Sequence, residues 1–448
     1  MKKGFFLSSI AILALGALAG CGGTPASSSE APASSQAPAS SEAPASSEAP
    51  ASSETPASSQ APASSVDPGE KINVGAIKVW CAEAAKDVTE AQLNRFVSEH
   101  PNYEMTFSID VVGEGDAATQ VIQDVDGAAD VYFFAQDQLS RLIAVNGIDE
   151  VYEDEAAIVR ANNAESTVYG ASFNNKLYAY PATADNGYFL YYDKSVFEGV
   201  DMTDFTAICD AAQAAEKTIY YAYENAWYTM AMFFGAGLVS EWYTDEEGNF
   251  VDYTDTLNTE KGIKVATAFG ELLGRTGLFV NDNSVAGFNK GAAAVISGTW
   301  DAVPAKTALG ENFACTILPK VTIEGGEKVQ MAGFSGLKLV GVKPQATEDR
   351  AIVCAEIALA LTNKEAQLER FDELNWGPSN LEAQDEQRVK DDVIVSTILA
   401  QNEYAVPQGQ FPGAWWSLAG AIGSNLSRGD DPATILSTYA AGLNGCLD

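Results

Sequence analysis

Aromatic side chains recur beside carboxylates and amides where apolar runs end. Trp80 closes a run from Ile72 that reads as a buried strand, and Glu83 and Lys86 follow it. Phe134 closes a second apolar run, from Ala128, and is followed by Asp137 and Gln138. Tyr220 to Tyr228 gathers rings, Trp227 and Tyr228 among them, beside Glu224 and Asn225. Trp300 precedes Asp301, and Trp415 and Trp416 open a helix that reads to about Ser427. Each set offers a flat apolar plane for stacking and polar atoms at its edge, which is the chemistry of reversible binding. Trp80 or Phe134 taken alone reads better as the end of a core strand. Of 7 Trp residues, five (80, 227, 300, 415, 416) fall at element ends or in turns beside polar groups, and that distribution points to an aromatic-lined cleft.

Such groups must be carried by a scaffold. The run Ile72 to Trp80 reads as one strand, and Tyr103 to Val111 alternates apolar and polar residues at period two, the pattern of another. Between them Thr89 with Gln92 reads as a capping box opening a helix whose Leu93, Phe96 and Val97 share one face, and His100-Pro101 stops it. Strand, helix, strand in this span implies a right-handed crossover and a mainly parallel α/β sheet, with ligands beyond the carboxyl ends of its strands. Asn258 to Leu273 reads as a further amphipathic helix. Gly113 to Asp116 lacks the spacing of a phosphate-binding fingerprint and reads as a loop.

The chain has 448 residues with 46% hydrophobic side chains, enough for a sizeable core, and 61 acidic against 26 basic residues give a net charge of -35. That balance argues against nucleic acid as a partner, which requires clustered cations. A single His, His100, thins the options for imidazole catalysis and His metal sites. Residues 1–20, with Lys2-Lys3 before an uncharged apolar stretch, read as a secretory signal. Leu18-Ala19-Gly20-Cys21 resembles the lipobox of bacterial lipoproteins, in which the Cys, here Cys21, takes up lipid. Residues 21–70 repeat Ala, Pro, Ser and Glu or Gln with nothing to bury, and read as a disordered tether. The five remaining cysteines, Cys81, Cys209, Cys315, Cys354 and Cys446, form no Cys-x-x-Cys pair, so no metal site is expected and free buried thiols are favoured over two disulfides.

Phe288-Asn289-Lys290-Gly291-Ala292-Ala293-Ala294-Val295-Ile296-Ser297-Gly298-Thr299-Trp300 resembles a signature stretch of bacterial extracellular solute-binding proteins, the substrate-binding lipoproteins of ABC sugar transporters. Ala179-Tyr180-Pro181, Leu190 to Lys194, Ile317-Leu318-Pro319 and a closing Trp-containing helix fall in that family's order, so the resemblance spans Ile72 to Leu447. Asp130 to Asp137 is most similar to the maltose and maltodextrin binders. The resemblance implies a two-lobed α/β fold with a hinge. Its lobes would be 71–184 with 325–375, and 185–324 with 376–448, and the chain would cross near Ala184, near Thr322 to Glu327 and near Trp376-Gly377-Pro378. It further implies sugar stacking on Phe134, Trp227, Tyr228, Trp300 and Trp416, with polar contacts from Asp137, Asp185 and Gln138, the last standing where an Arg is usual.

The residue chemistry agrees with this. A sugar ring has apolar faces and a rim of hydroxyls, so rings hold it above and below while Asp, Glu or Gln take the edge. Each platform contributes on the order of 1 to 2 kcal/mol, and micromolar binding needs about 8 kcal/mol, so edge hydrogen bonds, including Glu83, must contribute as well. The expected function is capture of an oligosaccharide, most closely a maltodextrin, and delivery to a permease by a monomer anchored through Cys21 outside a Gram-positive cell, with no cofactor and no catalysis. A binder for another oligosaccharide, a surface adhesin or sensor (Arg428-Gly429-Asp430 could be quoted for it), and a secreted glycosidase using two of the carboxylates remain open alternatives.

Overall fold

A computed structural model describes residues 71–447 of the chain, and these fall within one compact unit. The signal segment 1–20, Cys21 and the tether 21–70 lie outside the described residues.

Ten strands build two sheets: β1 Ile72–Cys81, β2 Tyr103–Val111, β3 Val131–Ala135, β4 Tyr180–Thr183, β5 Tyr188–Asp193, β6 Thr218–Tyr220, β7 Phe279–Val280, β8 Ala292–Gly298, β9 Phe313–Thr316 and β10 Lys338–Val342. The first sheet has the order β2-β1-β3-β10-β4 and the second β7-β6-β8-β5-β9. β1 pairs parallel with β2 and β3, whereas β10 is antiparallel to β3 and β4. In the second sheet β6 is parallel to β7 and β8, and β5 is antiparallel to β8 and β9. The first sheet is therefore mixed, where a mainly parallel one is expected from its opening strands. The reason is common to both sheets: β5 and β10 are the strands entered directly from the other half of the molecule, so they start at the hinge side and run against their neighbours.

The strand pattern follows the burial each position demands. β3 is buried at every residue because it lies inside the sheet with helices on either side, so its sequence is a continuous apolar run. β2, at the edge, alternates half-buried and exposed residues, which is why its period of two is legible. The helix after β1 spans Lys86–Glu99, so Thr89 and Gln92 lie within it and not at its cap. Both are buried, and the Gln92 amide instead donates to the Ala366 carbonyl at 3.1 Å and accepts from Arg370 Nη1 at 3.0 Å. His100 ends the helix, its ring 4.1 Å from Phe96 and 5.4 Å from Tyr103. The helix Glu260–Leu273 starts on Thr259, whose hydroxyl accepts from the Gly262 amide at 3.3 Å.

Each sheet has its own core. Val79, Tyr132, Phe133, Phe134, Leu339 and Ile357 belong to the first, and Tyr188, Met230, Phe233, Phe269, Ile296 and Trp415 to the second. The chain passes from β4 to β5 through Ala184–Gly187. The hairpin Lys320–Thr322 with Lys328–Gln330, where a return to the first sheet is expected, packs through Val321, Ile323 and Val329 into the second core, so the return runs through 333–337 into β10. The third crossing also lies beyond Trp376. Trp376 belongs to the first core, and the Ser379 hydroxyl still donates to the Pro181 carbonyl at 3.1 Å. The helix Val393–Asn402 is the first element past it to join the second half, where Ile394 and Ile398 pack with Phe189, Tyr191 and Val295.

The five cysteines Cys81, Cys209, Cys315, Cys354 and Cys446 are free thiols, four of them buried and Cys315 half-buried. Burial pushes Cys81 up to about 11 and Cys209 and Cys354 up to about 12, so none is poised as a thiolate nucleophile.

Candidate functional site

The ends of the strands converge on one cleft. β1, β2, β3, β6 and β8 all run toward it, while β5 and β10 start from it, so the segments after five strands, the approach to β5 and the first residue of β10 form its wall. Its volume is about 790 Å³. Glu83 follows β1, Asp137 and Gln138 follow β3, Trp227 follows β6, and Trp300 with Asp301 follows β8. Asn186 comes in before β5 and Lys338 begins β10, while Trp376, Gln408 and Trp416 arrive from the late crossing segments.

Three indoles expected to stack line this cleft half-buried: Trp227, Trp300 and Trp416. Trp227 is placed by helix Ala226–Gly235, whose cap Asn225 accepts from the Trp227 amide at 3.0 Å. It stacks on Phe334 at 4.9 Å and lies 6.3 Å from Trp416. Trp416 stands in the first turn of helix Gly413–Ser427, 5.3 Å from Phe411. Trp300 lies across Gly298, where a Cβ would meet the indole at 2.2 Å, so only glycine leaves room for the ring. Behind Trp227 and Trp416, Phe334 and Phe411 are buried, which fixes those two platforms from the rear.

The polar groups sort into those facing the cleft and those consumed by the scaffold. Asp137 is only 4% exposed, and its Oδ1 accepts from Gln408 Nε2 at 2.7 Å. Burial pushes its carboxyl up to about 7, with the nearby Arg141 charge pulling the other way. Asp301 is likewise raised by burial, although Ser297 Oγ donates to it at 2.5 Å. Glu83 lies exposed at the rim. Gln138 touches the cleft, but its amide is spent on the backbone: Oε1 accepts from the Ala118 amide at 2.9 Å, and Nε2 donates to Glu114 and Gly115 carbonyls at 3.0 and 2.7 Å. It shapes the loop Gly113–Asp116, which itself lines the cleft.

Six residues expected in the site lie elsewhere. Trp80 and Phe134 are buried in the first core, with Phe134 at 0% exposure and 5.8 Å from Tyr132. Both stand in strands covered on two faces, so a ring at the strand end still points into the interior. Lys86 is half-buried in the first turn of its helix and does not reach the cleft wall. Tyr228 is buried 4.7 Å from Tyr188, and its hydroxyl accepts from Asn283 Nδ2 at 2.8 Å. Trp415 is fully buried and its Nε1 donates to the Tyr439 hydroxyl at 3.0 Å, because it is turned about 100° around the helix from Trp416 and meets the core instead of the cleft. Asp185 is 2% exposed, and its Oδ2 accepts from the Gly377 amide at 2.5 Å, so it fastens the first crossing to the segment that follows Trp376 in the first half.

Several lining residues have no sequence signal that marks them. Glu114 and Asp116 sit in the glycine-rich loop. Arg141 lies one helical turn past Gln138. Lys338, 3% exposed, places its ammonium 3.5 Å from the Trp376 ring centre and 5.6 Å from that of Trp300. These groups converge from crossings far apart along the chain, and no local spacing records that.

Flat rings backed by a rigid core, with carboxylates, amides and two cations at their edges, are suited to holding a small polar molecule between two halves. A family model for bacterial extracellular solute-binding proteins matches residues 91–397. Among curated proteins none matches. Solved structures of the same fold include one described as being with acarbose, 25% identical, with a TM-score of 0.70 over 82% of this chain and 99% of that one. The maltodextrin-binding protein MalE1 from L. casei BL23, solved without ligand, is 24% identical with a TM-score of 0.68 over 83% of this chain and 97% of its own. MalX from Streptococcus pneumoniae, in complex with maltopentaose, is 18% identical with a TM-score of 0.67 over 83% and 100%. No helix among the described residues is long and apolar enough to cross a membrane. By that family match and this two-sheet architecture, the chain belongs to the bacterial extracellular solute-binding proteins.

Proposed function

We propose that the protein captures an oligosaccharide, a maltooligosaccharide derived from α-glucan, in the cleft between its sheets and delivers it uncleaved to an ABC permease. In this reading a lipid on Cys21 and the tether 21–70 hold a monomer at the outer face of a Gram-positive membrane. The observation that carries it is the set of three half-buried indoles, Trp227, Trp300 and Trp416, lining one cleft with the carboxylates Glu83, Asp137 and Asp301. Ring faces take the apolar side of a glucose unit, and the carboxylates and Gln408 take its hydroxyls. The acarbose and maltopentaose named with two structural neighbours support the same ligand class. A ligand touching both halves favours the closed arrangement by its differential affinity, and a permease would read that arrangement.

Calorimetric titration with maltotriose, maltopentaose and the β-linked cellotriose tests the reading. Micromolar or tighter binding of the α-linked sugars, with no reducing ends released on prolonged incubation, is the expected result. Preference for the β-linked sugar would replace the ligand, and released reducing ends would replace binding with hydrolysis.

A further inference from the structure

Lys338 has its backbone paired on both sides, with Ala135 on β3 and Thr183 on β4, so it opens an interior strand of the first sheet at the cleft end. Its side chain is 3% exposed, yet the ammonium has no hydrogen bond and no carboxylate within ion-pair distance among the described residues; its contacts are the faces of Trp376 and Trp300. An ammonium removed from water, with two ring faces beside it and the Asp301 charge acting from beyond ion-pair distance, still lacks the acceptors its three N–H groups require. The cleft is where those N–H groups can find them, because Lys338 lines it. Trp376 belongs to the first core and Trp300 follows β8 of the second sheet, so the ammonium also stands between the two halves.

We propose that Lys338 is a ligand contact and a specificity determinant: it donates hydrogen bonds to hydroxyl or ring oxygens of a neutral saccharide unit seated beside Trp300. The charge around it selects a neutral ligand over an anionic one. Glu83, Glu114, Asp116, Asp137 and Asp301 line the same cleft against the two cations Arg141 and Lys338, so a carboxylated sugar meets net repulsion even with Lys338 at hand. This inference rests on the reading of the cleft as a saccharide site.

The test is a cycle between protein and ligand variants, titrating the wild type, Lys338→Met and Lys338→Arg with maltotriose and with its mono-deoxygenated analogues. Lys338→Met should weaken maltotriose binding about tenfold to a hundredfold, the loss of a charged hydrogen bond, while Lys338→Arg retains part of it. One deoxy analogue should bind the wild type correspondingly weakly and lose nothing further in Lys338→Met, a coupling that a merely structural lysine would not produce. Wild-type affinity in a folded Lys338→Met, or equal losses for every analogue, overturns the contact. Tighter wild-type binding of a glucuronate-terminated trisaccharide than of maltotriose overturns the neutral preference. No heat from any sugar with the wild type overturns the saccharide reading itself and this inference with it.

Discussion

The Gln408 side-chain amide donates to Asp137 Oδ1 at 2.7 Å, joining the end of β3 to the segment that leads into helix Gly413–Ser427. The same glutamine accepts from Asn186 Nδ2 at 3.2 Å, and its carbonyl accepts from Gln136 Nε2 at 2.8 Å. A single side chain thus holds a cleft carboxylate, the first crossing and the last connecting segment in one arrangement. Any rotation of the two halves must alter these bonds.

Asp137 should make stability fall as pH rises. Burial raises its folded pKa to about 7 from the ordinary 3.8, so between those values the folded protein holds a proton that the unfolded chain has released. The contribution is full below pH 4 and is lost as pH passes 7. Thermal melts of Asp137→Asn should therefore lack this slope, gaining a few degrees on the wild type between pH 4 and pH 8. Parallel profiles for the two proteins would refute the assignment.

Neighbouring tryptophans should separate affinity from stability. Trp416→Ala removes a half-buried cleft ring and is expected to weaken maltotriose binding at least tenfold, about 1.4 kcal/mol. Trp415→Ala removes a fully buried ring together with its bond to Tyr439 and should cost ~3–5 kcal/mol of stability. Urea unfolding beside calorimetry distinguishes them, and equal losses of affinity with no loss of stability would contradict the placement.

Gly298→Ala should act on Trp300 at close range. A Cβ there would lie 2.2 Å from the indole, so the ring must leave its position at a cost of roughly 1 kcal/mol, or about fivefold in affinity. Unchanged titration in this variant would show that Trp300 does not need its present orientation.

Much of the scaffold is legible in the sequence because edge positions print their burial as alternation, as β2 does, and because Thr259 caps a helix with an apolar face. The cleft is legible only in part. Trp300 follows a strand end, and Trp227 and Trp416 stand in first helical turns, where a ring can face solvent. Phe134 occupies the same sequence context one residue before its strand stops, and the two-sided burial of β3 sends it inward. Nothing local tells Trp415 from Trp416 except which side of the helix meets Tyr439. Lys338 and Trp376 escape notice because their meeting depends on two crossings of the hinge, and the order of those crossings is a property of the whole fold.

A crystal structure of the protein grown with maltotriose is the decisive measurement. Glucose units should lie in the cleft, with ring faces on Trp300 and Trp416 and hydroxyls on Asp137. Sugar bound away from that cleft, or a cleft left empty at saturating maltotriose, would overturn the assignment of the site.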